Sequence, residues 1–351
     1  MTSQEETKKE TLGLILVTWN RREELRACLD SVLKLQPPPD EIIVVDNLSA
    51  DGTVAMLKKD FPFVKCIVMP ENAGLCQAAN VGFATCGCDY VGIIESDMVL
   101  SPNWVAATLD AFREDSSLAL VCPLFLHIHN DKGGYYNWED DGDENGYLHF
   151  TNGVFTVKKS VFEEAGQTLY APHYFLYAQE PEISARIINM GYRMKRIKNA
   201  ATFHNLDATP GSKNVRVSLR RGFFFNMRNN LWNLWTFYSL RNILFFTPLY
   251  VLFYIQDAYY IDSRYRGRRN TALESLSDIS VFFRAFWDAC KGIPTCRKRR
   301  KVVDLPHYRN IIDTFRHFRM IQKQRPIYEK AEIVCRDSED FMKKLARKEM
   351  K

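Results

Sequence analysis

Short apolar runs alternate with helical patterns along the N-terminal third of the chain, and this alternation constrains the fold more than any other feature. Apolar runs of this length suit strands that are buried on both faces of a parallel sheet. Such strands are predicted at Leu12–Thr18, Glu41–Asp46, Val64–Met69, Tyr90–Ile94 and Leu118–Cys122. Between them, apolar residues at spacings of three and four predict helices, the first beginning near Glu23 and another at Gly74–Ala84. The pattern predicts a doubly wound, mostly parallel α/β sheet.

Polar residues follow three of these strands at the point where each strand ends. They are Asn20 after the first strand, Asp46 at the end of the second, and Glu95 and Asp97 after the fourth. Ligands of open α/β sheets bind at the carboxyl ends of the strands, so we expect these side chains to line one site. The sequence has neither a G-x-G-x-x-G turn after the first strand nor a G-x-x-x-x-G-K-[ST] loop. These absences argue against a dinucleotide-binding Rossmann domain and against a P-loop protein.

The tripeptide Glu95-Ser96-Asp97 places two carboxylates one residue apart, just beyond a buried strand. Carboxylate oxygens suit Mg²⁺ or Mn²⁺, and either ion can bridge a diphosphate. The ion would neutralise charge on a leaving nucleoside diphosphate. Two acids in an ordinary solvated loop would give the same short pattern, so the tripeptide needs support from other segments.

Several further segments occur in order along the chain with this tripeptide. They are TWNRREELRACLDSVL (18–33), EIIVVDNLSADGT (41–53), ENAGLCQAANVGF (71–83), ESDMVLSPNW (95–104), TNGVFTVKKSVFEEAG (151–166) and YAQEPEISARIINMGY (177–192), followed by His204. Together they resemble the family 2 glycosyltransferases of GT-A fold, especially a rhamnosyltransferase-like branch, over about residues 12–230. The resemblance implies a single nucleotide-sugar-binding domain at 11–218. It also implies transfer of a sugar from a nucleoside-diphosphate-sugar donor to a hydroxyl of a glycan or lipid-linked acceptor.

The resemblance further implies roles for individual residues. Those at the nucleotide and the donor sugar would be Thr18, Asn20, Asp46, Asn72, Gly74, Asn80, Glu95, Ser96, Asn152 and Gly153. Asp97 would ligate the metal, Mg²⁺ or Mn²⁺, and His204 would be a metal ligand or a diphosphate contact. Glu180 falls on the catalytic base, which takes the proton from the acceptor hydroxyl. One base and no enzyme nucleophile imply a single in-line displacement, and hence inversion at the anomeric carbon.

Two positions depart from the family pattern. Glu95 stands where the family usually has the first Asp of a D-x-D motif, and Gln179 replaces the Glu of an E-D pair. These departures keep an alternative open, namely a non-catalytic nucleotide-sugar-binding or scaffolding subunit of a glycan assembly complex. A nucleotidylyltransferase is disfavoured, because no Gly-rich, Arg-containing loop follows the first strand. Glu182 and Arg186, four residues apart, are predicted to form an ion pair on a helix.

The segment 219–301 is rich in aromatic and basic residues. From Thr209 to Lys301 there are 17 Lys and Arg against five Asp and Glu. The nearly uncharged run Asn242–Gln256 contains Pro248 and is shorter than the about 20 residues of a spanning helix. We therefore predict a helical segment that lies on an anionic membrane surface without crossing it. The alternative is packing on the catalytic domain or on a second copy, as a homodimer, and nucleic acid is not an expected partner.

The two ends of the chain and the cysteines complete the prediction. Residues 1–10 are polar and charged, which predicts a disordered tail without a signal peptide, and 302–351 are predicted to be a charged helical extension. The nine cysteines include no C-x-x-C pair, and Cys86-Gly87-Cys88 is too tightly spaced for a zinc knuckle. Free thiols indicate a cytoplasmic protein, here peripherally associated with a membrane.

Overall fold

Nine strands and ten helices lie in the part of the chain that the computed structural model describes, residues 9–129, 134–137, 153–205, 215–259 and 272–303. The strands are β1 (Leu12–Thr18), β2 (Glu41–Asp46), β3 (Lys65–Val68), β4 (Tyr90–Glu95), β5 (Met98–Leu100), β6 (Leu118–His129), β7 (Gly134–Asn137), β8 (Val154–Lys158) and β9 (Arg193–Asn205). The helices are α1 (Arg22–Val32), α2 (Thr53–Asp60), α3 (Gly74–Thr85), α4 (Trp104–Glu114), α5 (Lys159–Glu164), α6 (Gln179–Asn189), α7 (Val215–Phe237), α8 (Leu240–Tyr259), α9 (Ala272–Lys291) and α10 (Ile293–Lys298). Most of the predicted tail, nearly all of the predicted extension and Asn152 lie outside the described residues.

One mixed sheet contains all nine strands in the order β3-β2-β1-β4-β8-β6-β9-β5, with β7 paired to β6. The first four strands of this order run parallel. Strand β8 is antiparallel to β4 and β6, and β9 is parallel to β6 and antiparallel to β5. The five predicted strands are all present, the first two with the predicted bounds, and the last extends beyond Cys122 to His129. The predicted α/β class is confirmed.

Burial explains why the first strand is an unbroken apolar run. All seven residues of β1 are buried, because the strand lies between β2 and β4 and α3 packs against it. Helix α1 buries Leu25, Cys28, Leu29 and Val32, which recur at spacings of three and four on one side of the helix. Burying each large aliphatic side chain contributes about 1.5–3 kcal/mol, so the alternation of strand and helix follows from the apolar pattern.

The chain divides into two compact units. Of the described residues, the first unit contains 9–169 and 192–205 and holds the whole sheet, whereas the second contains 170–191, 215–259 and 272–303 and is helical. Residues 170–191, which the sequence places in a catalytic domain at 11–218, group with the helices of the second unit. Each unit has its own hydrophobic core.

The second unit is built from α7, α8 and α9, which pack against one another around an apolar core. Its most buried members are Met227, Leu231, Ala285 and Ala289. Pro248 lies inside α8. Among the helices of the described ranges, none is long and apolar enough to cross a membrane.

The predicted ion pair between Glu182 and Arg186 is confirmed, and it is buried inside the second unit. Arg186 donates from Nε and Nη2 to the two carboxylate oxygens of Glu182, at 2.9 Å each. Arg299 adds a third hydrogen bond to the same carboxylate at 2.8 Å. Burial raises the pKa of Glu182, but the two guanidinium groups outweigh burial and hold the pKa below its ordinary value. Glu182 is therefore a structural anion.

Candidate functional site

The carboxyl ends of β2, β1 and β4 meet at one edge of the sheet. The strand register places Thr18 opposite Asp46 and Val17 opposite Glu95. Thr18 and Asp46 are buried, at 2% and 0% exposure. One carboxylate oxygen of Asp46 accepts from the backbone N–H of Ser49 at 2.9 Å, which fixes the direction of the carboxylate. Polar residues predicted from three separate strand ends are thus brought together.

Three buried oxygen atoms at this edge have no hydrogen-bond partner among the described residues: Thr18 Oγ1, Asp46 Oδ1 and Asp97 Oδ1. Buried polar atoms in folded proteins are nearly always paired. Each unpaired group costs about 1–3 kcal/mol of stability, a cost that a polar ligand removes when it binds. The cluster therefore indicates a ligand site.

Asp97 lies in the turn between β4 and β5 and holds two partners on one oxygen. Its Oδ2 accepts from Arg21 Nη1 at 2.5 Å and lies 3.3 Å from His204 Nε2. Antiparallel pairing of β5 with β9 fixes the second contact, because Met98 lies opposite His204. Burial raises the pKa of Asp97, but His204 and Arg21 outweigh burial and hold the pKa below its ordinary value. The side chain is therefore an anion at neutral pH.

The atoms around Asp97 fit a divalent metal ion. The carboxylate offers one buried oxygen without a partner in the described chain, and the ring of His204 lies beside the other oxygen. Carboxylate oxygen suits both Mg²⁺ and Mn²⁺, and imidazole nitrogen is better suited to Mn²⁺. Arg21 shares the carboxylate, so it would compete with an ion for the negative charge.

Glu95 ends β4 and lies against Gly153, another residue predicted at the site. Gly153 has a φ of +77°, and a Cβ atom at this position would collide with the carboxylate of Glu95. Only glycine lets the chain before β8 pass this close to the acid. Ser96, next to Glu95, is buried at 3% exposure.

Asn20 joins the loops that follow β1 and β2. Its backbone N–H donates to Ser49 Oγ at 2.8 Å, and its Oδ1 accepts from the N–H of Ala50 at 2.7 Å. Its φ of 51° is left-handed, a conformation that asparagine adopts more readily than most residues. Asn20 therefore shapes this loop pair, on which Trp19 and Leu48 are exposed at 42% and 50%.

Asn47 holds the start of α3 to the end of β2. Its Nδ2 donates to the carbonyl of Gly74 at 3.0 Å, and its Oδ1 accepts from the N–H of Ala73 at 3.2 Å. Asn72 Oδ1 accepts from the N–H of Gly74 at 3.1 Å, and Gly74 has a φ of +85°. Two predicted residues, Asn72 and Gly74, thus build this turn, and Asn80 lies further along α3.

Comparison with known protein families decides what this arrangement is. The model described as "Glycosyl transferase family 2" matches residues 14–181. Those residues form a family 2 glycosyltransferase domain. The predicted family is confirmed, and the rhamnosyltransferase-like branch stays a prediction.

Curated relatives match this chain over part of their own length. Chondroitin synthase of Escherichia coli is 29% identical over 135 residues, which cover 36% of this chain and 19% of that protein. Glycosyltransferase GlyG of Streptococcus pneumoniae is 24% identical over 159 residues, covering 44% of this chain and 48% of that protein. Poly-beta-1,6-N-acetyl-D-glucosamine synthase of Staphylococcus epidermidis is 28% identical over 120 residues, which cover 33% of this chain and 29% of that protein. The matches span about half or less of these relatives.

Two solved structures share the fold. A mannosyltransferase from Pyrobaculum calidifontis in complex with GDP-Man and Mn²⁺ gives a TM-score of 0.52 at 16% identity, covering 88% of this chain and 81% of that chain. GalNAc-T7 with UDP, GalNAc and Mn²⁺ gives a TM-score of 0.51 at 16% identity, covering 83% of this chain and 58% of that chain. The predicted GT-A fold is confirmed.

Glu180, the predicted base, lies at the end of the family 2 match, in the second unit and in the first turn of α6. Gln179 Nε2 donates to Glu180 Oε1 at 3.0 Å. The two residues before the helix, Tyr177 and Ala178, have φ values of 66° and 54°. Left-handed backbone at a non-glycine residue costs of the order of 1–3 kcal/mol and persists only where the surroundings impose it.

Two buried asparagines of α7 impose this turn. Asn229 Nδ2 donates to the carbonyls of Leu176 at 2.9 Å and Tyr177 at 2.6 Å. Asn233 Nδ2 donates to the carbonyl of Ala178 at 2.9 Å. Three consecutive carbonyls are thereby tied to one helix, so the chain that carries Glu180 has a fixed direction.

Sequence reasoning missed Arg21, Asn47, Asn229 and Asn233. The first two are neighbours of residues that it selected, and their own roles depend on contacts with distant strands and loops. The two asparagines are four residues apart in a helix that is rich in aromatic residues. That spacing places them on one side of the helix, and it was the available signal.

Asn229→Ala removes the two hydrogen bonds that Asn229 Nδ2 donates to the turn before α6. We expect the free energy of unfolding to fall by about 1–3 kcal/mol, because two buried carbonyls lose their partner. We also expect faster amide hydrogen exchange at residues 176–180. Asn226→Ala is the matched control, because Asn226 Nδ2 donates at 3.1 Å to Gly222 of the same helix. Unchanged exchange at 176–180 in Asn229→Ala would show that Asn229 does not hold the turn.

Proposed function

We propose that this chain is an inverting glycosyltransferase that moves a sugar from a nucleoside-diphosphate-sugar donor to a hydroxyl of a glycan or lipid-linked acceptor. The observation that carries the proposal is the cluster of unpaired buried oxygens on Thr18, Asp46 and Asp97, at the edge where α/β sheets bind ligands. The fold neighbours were solved with GDP-Man and Mn²⁺ and with UDP, GalNAc and Mn²⁺. Those complexes support a nucleotide-sugar donor and a divalent ion for this chain.

The base of the donor would lie beside β1 and β2. Asp46 Oδ1 would accept the imide N–H of a uracil or thymine ring, and Thr18 Oγ1 offers a hydroxyl next to it. Trp19 is 42% exposed on the adjoining loop. Its indole face would stack on the base, an interaction worth about 1–3 kcal/mol. Asn20 would act here by shaping the loop that presents these groups.

The diphosphate and the sugar would lie between the start of α3 and the end of β4. The residues proposed to border them are Asn72, Gly74, Asn80, Glu95, Ser96, Asn152 and Gly153. The close approach of Gly153 to the carboxylate of Glu95 supports this placement, because it leaves the acid at a narrow boundary of the site. Glu95 would accept hydrogen bonds from hydroxyls of the ribose or the sugar.

Asp97 and His204 would hold the divalent ion, Mg²⁺ or Mn²⁺. When bound, the ion neutralises charge on the diphosphate leaving group. Arg21 would add a second positive charge near the diphosphate, since its guanidinium already lies 2.5 Å from Asp97 Oδ2. Arginine suits this task because its planar group pairs well with phosphate oxygens.

Glu180 would be the general base. Its carboxylate takes the proton of the acceptor hydroxyl while that oxygen forms a bond to the anomeric carbon. The bond from the anomeric carbon to the diphosphate breaks, and its electron pair leaves with the diphosphate. The single displacement inverts the anomeric centre. Gln179, where the family usually has an acid, would orient the carboxylate through its hydrogen bond at 3.0 Å.

The alternative function is a non-catalytic nucleotide-sugar-binding or scaffolding subunit of a glycan assembly complex. The two departures from the family pattern, Glu95 and Gln179, favour it. Such a subunit would bind a nucleotide sugar and release no nucleoside diphosphate. Turnover therefore separates the two functions.

Release of nucleoside diphosphate from a panel of sugar donors, with Mn²⁺ or Mg²⁺ and with a chelator, tests the proposal. We expect metal-dependent release. Glu180→Gln should lower turnover by about 10²-fold or more, the usual scale for loss of a general base, while donor affinity stays close to that of the unmodified protein. Asp97→Asn should abolish the metal-dependent release of nucleoside diphosphate.

Glu164→Gln, an exposed neutral substitution on α5, controls for the loss of one carboxylate. Donor binding without release by the unmodified protein would favour the scaffolding alternative. Full turnover by Glu180→Gln would remove Glu180 from the mechanism.

We also propose that the second unit docks on the cytoplasmic face of an anionic membrane, where a lipid-linked acceptor would be available. Helix α8 is apolar on all sides: it buries Phe246, Tyr250 and Tyr254, yet it also exposes large apolar residues. The exposed ones are Leu240, Leu244, Phe245, Leu249, Leu252 and Ile255, and α9 exposes Leu276, Phe283 and Trp287. A helix that is apolar on all sides is typical of a chain buried on all sides.

Charge on the same helices supports an anionic partner. The exposed charged side chains described on α8, α9 and α10 and just after them are basic: Arg241, Arg284, Lys291, Arg297, Lys298, Arg300 and Lys301. Of the acids described there, Asp278 pairs with Arg220 and Asp288 with Arg228. Apolar side chains with a net positive surface are the combination that binds an anionic leaflet.

Vesicle co-sedimentation tests the docking. Binding should require anionic lipid and should weaken with salt, because counterions screen the attraction. Replacing Arg297, Lys298 and Lys301 by Ser should reduce binding at least about tenfold, given about 1 kcal/mol for each basic residue near the surface. Arg300 is left in place because it donates to the carbonyls of Trp235 and Tyr238. Arg299 is left in place because it pairs with buried Glu182.

Phe245→Glu and Trp287→Glu should weaken vesicle binding further, since both side chains are exposed. Phe63→Glu is the matched control, an apolar residue 56% exposed in the first unit. A protein that ignores all vesicles and sediments as a dimer would contradict the docking and assign the apolar faces to a contact between copies.

A further inference from the structure

A second group of potential metal ligands lies at the opposite edge of the sheet in the first unit. Glu41 is the first residue of β2, and Cys86 and Cys88 directly precede β4, which begins at Tyr90. The parallel register makes these the amino ends of the strands, whereas Asp97 follows a carboxyl end. The group is therefore separate from the site proposed for the donor.

The three side chains converge. Cys86 Sγ, Cys88 Sγ and a carboxylate oxygen of Glu41 all lie within 4.8 Å of one another. The two cysteines are buried, at 1% and 7% exposure, whereas Glu41 is half-buried. Sulfur atoms around a tetrahedral zinc ion, with Zn–S bonds of about 2.3 Å, are separated by about 3.8 Å, so the ligand atoms would have to approach one another by up to about 1 Å. An ion at the centre would therefore require only a small movement of the ligands.

Backbone contacts fix the loop that carries the thiols. Glu41 Oε2 accepts from the N–H of Gly87 at 2.9 Å, which holds the carboxylate next to the cysteine loop. Lys159 Nζ donates to the carbonyl of Cys86 at 2.5 Å and holds the loop from another side. Lys65 Nζ lies 3.4 Å from Glu41 Oε1, an exposed contact that a cation would displace.

Gly13 provides the space for both sulfur atoms. A Cβ atom on Gly13 would lie 2.5 Å from Cys86 Sγ and 3.1 Å from Cys88 Sγ. Both distances are below van der Waals contact, so any other residue at this position of β1 would push the sulfurs apart. The two thiols thus meet over a backbone position that lacks a side chain.

We propose that Glu41, Cys86 and Cys88 bind a thiophilic divalent ion, Zn²⁺, through two thiolates and one carboxylate, with water as the fourth ligand. Two sulfur ligands select Zn²⁺ over the Mg²⁺ or Mn²⁺ expected at Asp97. The spacing of the two cysteines alone excludes a zinc knuckle, but Glu41 supplies a further ligand from another strand. The ion would fasten the start of β2 to the loop before β4.

Proton balance is simple in this site. Burial raises the pKa of Cys86 to about 12 and raises that of Cys88, so both thiols are protonated in the metal-free protein. Binding exchanges two thiol protons, which leave to solvent, for one Zn²⁺ ion. No oxidant or reductant takes part.

Co²⁺ titration of the reduced, metal-stripped full chain tests the inference. Thiolate ligands give Co²⁺ a sulfur-to-metal charge-transfer absorption that oxygen and nitrogen ligands do not give. We expect one equivalent of Co²⁺ to produce this band and one equivalent of Zn²⁺ to remove it. Cys86→Ser and Cys88→Ser should each abolish the stoichiometric band, and Glu41→Gln should weaken Co²⁺ binding about tenfold or more.

Two controls separate this site from the rest of the protein. Cys66→Ser changes a half-buried thiol on β3 and should leave the band unchanged. Asp97→Asn should also leave it unchanged, so a failure of the proposed transferase function would not affect the result. A chain without a thiolate band, or one that keeps the band in both serine variants, would overturn the inference.

Thermal unfolding covers the case in which the serine variants fail to fold. Zn²⁺ should raise the Tm of the unmodified protein, because it binds only the folded chain. Glu41→Gln retains both thiols and should show a smaller rise at the same Zn²⁺ concentration. An equal rise in Glu41→Gln would place the ion elsewhere and overturn the inference.

Discussion

The in-register parallel pairing of β2, β1 and β4 is the constraint on which the donor site depends. It places Thr18 opposite Asp46 and Val17 opposite Glu95, so that three strand ends meet at one edge. A slip of one residue would turn each inward side chain to the other face of the sheet. Because β1 is buried along its whole length, such a slip would also place each of its side chains in a space that is packed for a side chain of different size. Packing of the core thus fixes the strand register, and the register places the residues of the site.

Much of the first unit could be predicted from the sequence, because its strands are continuous apolar runs and their ends carry polar residues. The bounds of β1 and β2 followed from the pattern alone. The contact between Asp97 and His204 did not: it depends on β5, a strand of three residues, pairing with a strand about 100 residues away. Short strands with distant partners leave no periodic signal. Arg21 was missed because its partner, Asp97, lies 76 residues further along the chain.

In the second unit, the sequence pattern predicts helices but does not predict how they pack. Composition indicates that α8 is apolar, but only packing shows that Phe246 is interior and Phe245 is exposed. The grouping of α6 with α7 depends on side chains such as Asn229, which ties the turn before α6 to the helix. Some costly features of the chain coincide with residues proposed for donor binding: Thr18, Asp46 and Asp97 have unpaired buried oxygens, and Asn20 has left-handed backbone. Such costs are typical of functional sites, where the surrounding fold offsets them.

The central claim is that the carboxyl edge of the family 2 domain binds a nucleoside diphosphate together with a divalent ion held by Asp97. Anomalous diffraction from crystals grown with Mn²⁺ and UDP or GDP measures this directly, because manganese is located independently of the protein model. We expect one manganese peak at coordinating distance from the Asp97 carboxylate, with the diphosphate on its other side and the base beside Asp46. A nucleotide bound elsewhere, or a manganese peak remote from Asp97, would contradict it.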